Sequence, residues 1–146
     1  GDWGWRPKYL NSSETPIYKK GEHLYGLYQA RRSISQKHEV LLTEGYVDVI
    51  VLHQYGFTNS CAVLGTALTG TQVRRLGGLT SSIVLLFDGD EAGAKAALRS
   101  AQMVLGQGLK CKVVQFPAGD DADSLLTKYG QKSLVELLSK ARDGLD

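Results

Sequence analysis

The chain has 146 residues, 42% hydrophobic and 22% charged, with 17 Lys and Arg against 15 Asp and Glu. That length suits one domain with a sizeable core, and the composition is that of an ordinary globular chain. No run approaches about 18 uncharged apolar residues, which excludes a membrane-spanning helix. Cys61 and Cys111 have no second Cys or His at ligand spacing, which argues against zinc and leaves buried, reduced thiols of a cytoplasmic protein as the expectation.

Residues 1–21 are turn-rich, from Gly1 and Gly4 through Pro7, Asn11 and Pro16 to Gly21, and show no clear period. The opening GDWGWRPKYL has neither an initiator Met nor the apolar core of a signal peptide, so a piece of a longer protein is expected. From Glu22 to Gln36, Leu24, Leu27, Tyr28 and Ile34 recur at near-helical spacing and predict a first helix. EVLLTE (39–44) reads as a strand and YVDVIVLHQYG (46–56) as a helix closed by Gly56. NSCAVL (59–64) reads as a strand entering the loop GTALT, and Gln72–Leu79 as a short helix. SIVLLF (82–87) is the next strand, Glu91 to Gly106 an Ala-rich helix, and KCKVVQF (110–116) a fourth strand, with two short helices within 123–141.

Strands alternating with helices predict an α/β fold: about four mostly parallel strands covered by helices on both faces. An N-terminal extended basic segment and C-terminal helices flank this core. The expected division is a basic leader with the first helix over 1–38, a core over 39–130 and a C-terminal helical segment over 131–146.

Charge is unevenly spread. Residues 1–38 carry seven Lys and Arg against three acids, whereas 39–146 carry ten against twelve. Seven of those twelve fall in three clusters: Glu44 with Asp48, Asp88 with Asp90, and Asp120 with Asp121 and Asp123. All three lie at the carboxyl ends of predicted strands, where open α/β sheets bind ligands. This convergence, beside a basic leader, points to divalent cations between the protein and an anionic partner.

In FDGDEAG, residues i and i+2 of an extended segment face the same side, so Asp88 and Asp90 can reach one ion. Capping of the following helix explains Asp90 well and Asp88 poorly. Asp123 is a credible cap for the helix after GDDADSLL. An EF-hand begun at Asp88 fails on Ala92 and Arg99, and one begun at Asp121 fails on Lys132. GTALTGTQ has Walker-like glycines but Thr71 and Gln72 where Lys and Ser or Thr belong. His23, His38 and His53 have no partners at ligand spacing and read as surface or packing residues.

Taken together, Glu44 at the first strand tip, FDGDEAG at the third and GDDADSLL after the fourth resemble the Toprim domain. The likeness is closer still to the Toprim portion of the RNA-polymerase domain of bacterial replicative primases. PKYLNSSETPIYKKGEHLYGLYQAR (7–31), EGYVDVIVLHQYGF and AVLGTALT extend it from Pro7 to Tyr129. Ala122 stands where that family commonly has Pro, and GDWGWR is less typical.

The resemblance implies metal-dependent, DNA-templated synthesis of short RNA primers, with a 3′-hydroxyl attacking the α-phosphate of a nucleoside triphosphate. It implies Mg2+, with Mn2+ as a substitute, and no zinc in this segment. Glu44, Asp88 and Asp90 are the first-choice ligands or base, with Asp121, Asp123 and Asp48 behind them. Lys8, Tyr9, Asn11 and Lys20 are implied contacts to template or nucleotide. Single-stranded DNA, nucleoside triphosphates and the RNA primer are the implied partners, together with a replicative helicase bound through a region absent here.

Three rival readings remain open at this stage. A haloacid-dehalogenase-like phosphatase also ends an apolar strand in DxD, but Ala92 stands where that motif usually has Thr or Val. Another Toprim enzyme, a topoisomerase or nuclease, would need a cleavage apparatus that this chain does not display. The third is a metal- and nucleic-acid-binding module inactive by itself.

Overall fold

The computed structural model describes residues 22–65 and 67–143, with the backbone alone at Arg142 and Asp143. The order is α1 (Leu27–Lys37), β1 (Val40–Thr43), α2 (Tyr46–Gln54), β2 (Ser60–Ala62), α3 (Gly70–Gly77) and β3 (Ser82–Leu86). It continues with α4 (Glu91–Gly106), β4 (Lys110–Val113), α5 (Ala122–Tyr129), α6 (Gln131–Ser139) and β5 (Arg142–Asp143). The strands lie in the order β2-β1-β3-β4-β5. The first four are parallel, and β5 runs antiparallel to β4.

The alternating direction of strand side chains sorts the apolar runs into two cores. Val40, Leu42, Ile83, Leu85 and Phe87 pack with Ile34 of α1, Leu76 of α3 and Ala101 and Val104 of α4. Leu41, Val84 and Leu86 pack on the other face with Leu52 of α2, Leu126 of α5 and Leu134 of α6. Both central strands are therefore covered on both sides, as their unbroken apolar runs predict.

Besides shifted bounds at β2, α3 and β4, two elements depart from the sequence reading. The first helix begins at Leu27, not Glu22. Tyr25 instead forms an antiparallel bridge with Ala62 beside β2, its N–H donating to the Ala62 carbonyl at 2.8 Å and its carbonyl accepting at 3.1 Å. Gly26, at φ 78°, then turns the chain into the helix. The spacing of Leu24 and Leu27 fits a helix, but Leu24 is buried from the extended segment. The second departure is β5, a two-residue strand where only helices were expected.

Cys61 and Cys111 are free and buried. Burial pushes their thiols up to about 12 and about 11, so both stay protonated.

From β1 the chain moves outward to β2, then crosses to the other side for β3 and β4. The order thus reverses between β1 and β3, and the carboxyl ends of these neighbouring strands open the crevice where such sheets bind ligands.

Candidate metal centre

Glu44 directly follows β1, and Asp88 lies just past β3. Because Thr43 pairs with Leu86, these acids emerge side by side, and the Asp88 N–H donates to Glu44 Oε1 at 3.3 Å. Asp48 sits in the first turn of α2 and is only 6% exposed. Its Oδ1 accepts the Asp123 N–H at 3.0 Å, joining α2 to the start of α5.

Asp121 is the N-cap of α5: its Oδ1 accepts the Ser124 N–H at 2.8 Å, while its own N–H donates to Ser124 Oγ at 3.0 Å. Carboxylate oxygens of Asp48, Asp88 and Asp121 all lie within 4.8 Å of one another. Together with Glu44 and Asp123 these residues line an open depression of about 260 Å³.

The backbone fixes this convergence. The Gly89 N–H donates to the Asp120 carbonyl at 3.0 Å, which ties the loop after β3 to the loop before α5. A Cβ on Gly89 would stand 2.5 Å from the Pro117 carbonyl oxygen. A Cβ on Gly93 would overlap the Asp88 carbonyl oxygen and stand 2.9 Å from its carbon. Both glycines of FDGDEAG are therefore required by close backbone approach.

The remaining acids take other positions. Asp90 caps α4, its Oδ1 accepting the Gly93 N–H at 2.7 Å, and lies outside the three-carboxylate cluster. Asp123 is not the cap of α5 that its sequence position suggests. That role falls to Asp121, because Ser124 is the residue placed to close the reciprocal box. Asp120 accepts from the Ser124 hydroxyl at 2.8 Å and pairs with Lys128 at 3.1 Å. The Ser124 bond, then Lys128, holds its carboxyl below the usual range. Lys8, Tyr9, Asn11 and Lys20 lie outside the described residues.

Sequence reasoning placed Asp48 with Asp121 and Asp123 behind Glu44, Asp88 and Asp90, and overlooked Ser124. The one available signal for Asp48 was its place a helical turn beyond Glu44.

Burial, then the Asp121 charge and the smaller Asp88 and Asp123 charges, push Asp48 up to about 7 against the opposing Asp123 N–H bond. Burial, then Asp121 and Asp90, raise Asp88. Burial raises Glu44, helped by Asp88 and Asp90 and opposed by the Asp88 N–H. Among the described residues no cationic side chain pairs with Glu44, Asp48, Asp88, Asp90, Asp121 or Asp123. Three converging oxygen donors without a salt-bridged cation suit a hard divalent ion, which would turn mutual repulsion into ligation.

The electrostatics carry a sign that can be tested. Asp48 holds its proton to about pH 7 in the fold but releases it near its ordinary 3.8 when unfolded. The metal-free folded state therefore binds more protons across that window, and stability falls as pH rises through it. Relative to Asp48→Asn, the wild-type Tm in EDTA drops by roughly 5–10 °C between pH 5 and pH 8. Mn2+ at pH 8 restores most of the loss. A pH-independent difference between the two proteins would contradict this assignment.

The two jobs of Asp121 are separable. Asp121→Asn keeps a capping oxygen and leaves stability within a few tenths of a kcal/mol, whereas Asp121→Ala costs about 1 kcal/mol. Both lower Mn2+ affinity by roughly tenfold or more, as calorimetric titration would show. Equal stability of the two variants would argue against the cap.

Residues 41–126 match the family described as Toprim-like, and residues 4–31 match the N-terminal domain of the DNA primase catalytic core. The DNA primase of Halalkalibacterium halodurans is 47% identical over 125 residues, covering 86% of this chain and 21% of the relative. The chain thus spans about a fifth of the length of that relative. The Aquifex aeolicus primase structure with zinc-binding and RNA polymerase domains superposes with a TM-score of 0.85 at 36% identity, covering 90% of this chain and 33% of that one. A DnaG primase catalytic domain bound to single-stranded DNA superposes at 0.82 with 35% identity, covering 92% of this chain and 44% of that one. Fold, strand-end acids and flanking sequence agree: the chain belongs to the Toprim-like family and is similar to the form carried by DNA primase catalytic cores.

Proposed function

We propose that the chain forms the metal-dependent nucleotidyl-transfer centre of a DNA primase, an enzyme that makes short RNA primers on single-stranded DNA. The convergence of Asp48, Asp88 and Asp121 within 4.8 Å, with no salt bridge to any of them among the described residues, carries this reading. Mg2+ suits the set, because it takes few carboxylates and keeps positions for water and substrate phosphate. Mn2+ is the expected substitute. Bound there, the cation supplies charge neutralisation at the α-phosphate and at the attacking and leaving oxygens.

The residues of the chain have distinct tasks. Asp48 in α2, Asp88 after β3 and Asp121 at the start of α5 would hold the cation. Glu44, half-buried and raised above the usual carboxylate range by burial, is placed to take the proton of a 3′-hydroxyl. Asp90 fixes the start of α4 and adds negative charge beside Asp88. In the leader, Lys8 and Lys20 attract phosphate, Tyr9 offers a stacking face and Asn11 both donors and an acceptor for template or nucleotide. Residues 39–130 act as the Toprim core in this scheme. The leader over 1–38 and the segment over 131–146 flank it. The helicase contact belongs to another part of such a protein, and replication places it in the cytoplasm.

The deciding experiment places this chain with the rest of a primase polymerase domain, single-stranded template and labelled ribonucleotides. Primers form with Mg2+ or Mn2+ and stop on addition of EDTA. Synthesis that continues in EDTA, or no metal-dependent product from the wild type, sinks the proposal.

A further inference from the structure

A second cavity, of about 330 Å³, adjoins the acidic depression on the α4 side. Glu44 lines both spaces and is the residue they share. Leu68, Phe87 and Met103 give the second cavity an apolar lining, and Arg99 and Ser100 of α4 supply its polar groups. That volume falls in the range of small-molecule sites, which are mostly apolar with a few placed polar groups.

Ser100 distinguishes this space from a packing defect. It is 6% exposed and makes no hydrogen bond to any described residue. The other buried polar side chains all have partners: Thr43, Asp48, Asn59, Ser60, Gln72 and Thr80 each donate or accept a bond. A buried hydroxyl is costly to leave unpaired, so one facing a cavity marks a place where a ligand can complete it. Arg99 is exposed beside it, and its guanidinium forms no ion pair or hydrogen bond among the described residues.

We propose that this cavity receives the base and ribose of a nucleoside triphosphate whose phosphates extend past Glu44 towards the acidic depression. The chemistry selects that class. A flat heteroaromatic ring suits a lining of Phe87 and Met103, its polar edge or the ribose completes Ser100 Oγ, and Arg99 meets a phosphate at the rim. A ligand that reaches from this cavity past Glu44 to a cation held in the acidic depression has an apolar end and an anionic end, as a nucleotide has. This inference rests on the primase reading, since it gives the incoming nucleotide of that reaction a seat.

The test has two independent arms. In the first, 8-azidoadenosine triphosphate with Mn2+ is photolysed on the full-length protein carrying this chain, and the labelled peptide is sequenced. Label in residues 63–68 or 96–103 supports the seat; label confined to other segments overturns it. This arm needs no primer synthesis, so an inactive wild type would count against the primase reading without touching the seat.

In the second arm, Ser100→Ala and Arg99→Gln are compared with wild type on a saturating template. Each raises the KM for nucleoside triphosphate about fivefold or more, with kcat within about twofold, because the lost contacts serve binding rather than the reacting bond. Unchanged KM in both variants overturns the proposal. So does weakened oligonucleotide binding with unchanged KM, which would give the cavity to a base of the strand.

Discussion

In the proposed primase reaction, Asp88→Asn lowers Mg2+-dependent primer synthesis by at least about 100-fold, measured with the complete polymerase domain. Asp88 is the hinge of the centre: its carboxylate meets Asp48 and Asp121, and its backbone N–H holds Glu44. Asn keeps the shape and leaves the N–H bond in place, so the loss isolates the charge. In EDTA the variant melts at or above the wild-type temperature, because one of several mutually repelling carboxylates is gone. Mn2+ then stabilises the wild type and leaves the variant almost unmoved. Normal primer yield from Asp88→Asn would remove this residue from the site, whatever the fate of the others.

Gly93→Ala is the second large effect, and it acts through the backbone. The added carbon collides with the Asp88 carbonyl oxygen and lies 3.1 Å from the Asp88 nitrogen, neither of which can rotate away. The first turn of α4 must move off the strand tip, costing about 2–4 kcal/mol and moving Asp88 from its partners. Thermal melting in EDTA reads the first consequence and Mn2+ titration the second. Gly106→Ala, on the same helix, is the internal comparison. Nothing lies within 4 Å of its Cβ position, and it is neutral or stabilising by up to about 1 kcal/mol. If both variants melt alike, close packing at Gly93 is not what holds the strand tip.

The legible parts of the sequence were those in which local pattern and tertiary demand coincide. Val40–Leu42 and Ile83–Leu86 are unbroken apolar runs because both faces of their strands are covered, and such runs between helical segments announce a parallel sheet. Asp90 was recognisable as a cap from the Ala-rich helix behind it. Tyr25 was not recognisable as extended, because Leu24 and Leu27 satisfy helical spacing and only the β2 partner decides otherwise.

The same limit applies to the acids. DGD draws attention to Asp88 and Asp90 together, yet the cluster joins Asp88 to Asp48 and Asp121. That grouping depends on the packing of α2 against α5 and on Asp48 accepting the Asp123 N–H, neither of which has a local sequence mark. Strand order is similar: the apolar runs identify β1 and β3, but not that they are neighbours with Thr43 opposite Leu86.

The Tyr25 bridge and β5 have a joint consequence. A sheet presents two open margins, and an unpaired margin recruits strands from other molecules. Here Tyr25 occupies groups along the outer side of β2, and β5 does so along the outer side of β4. Neither addition is long, but each blunts a flank on which a second copy could extend the sheet. Self-association by strand addition is thereby discouraged at both flanks of the sheet.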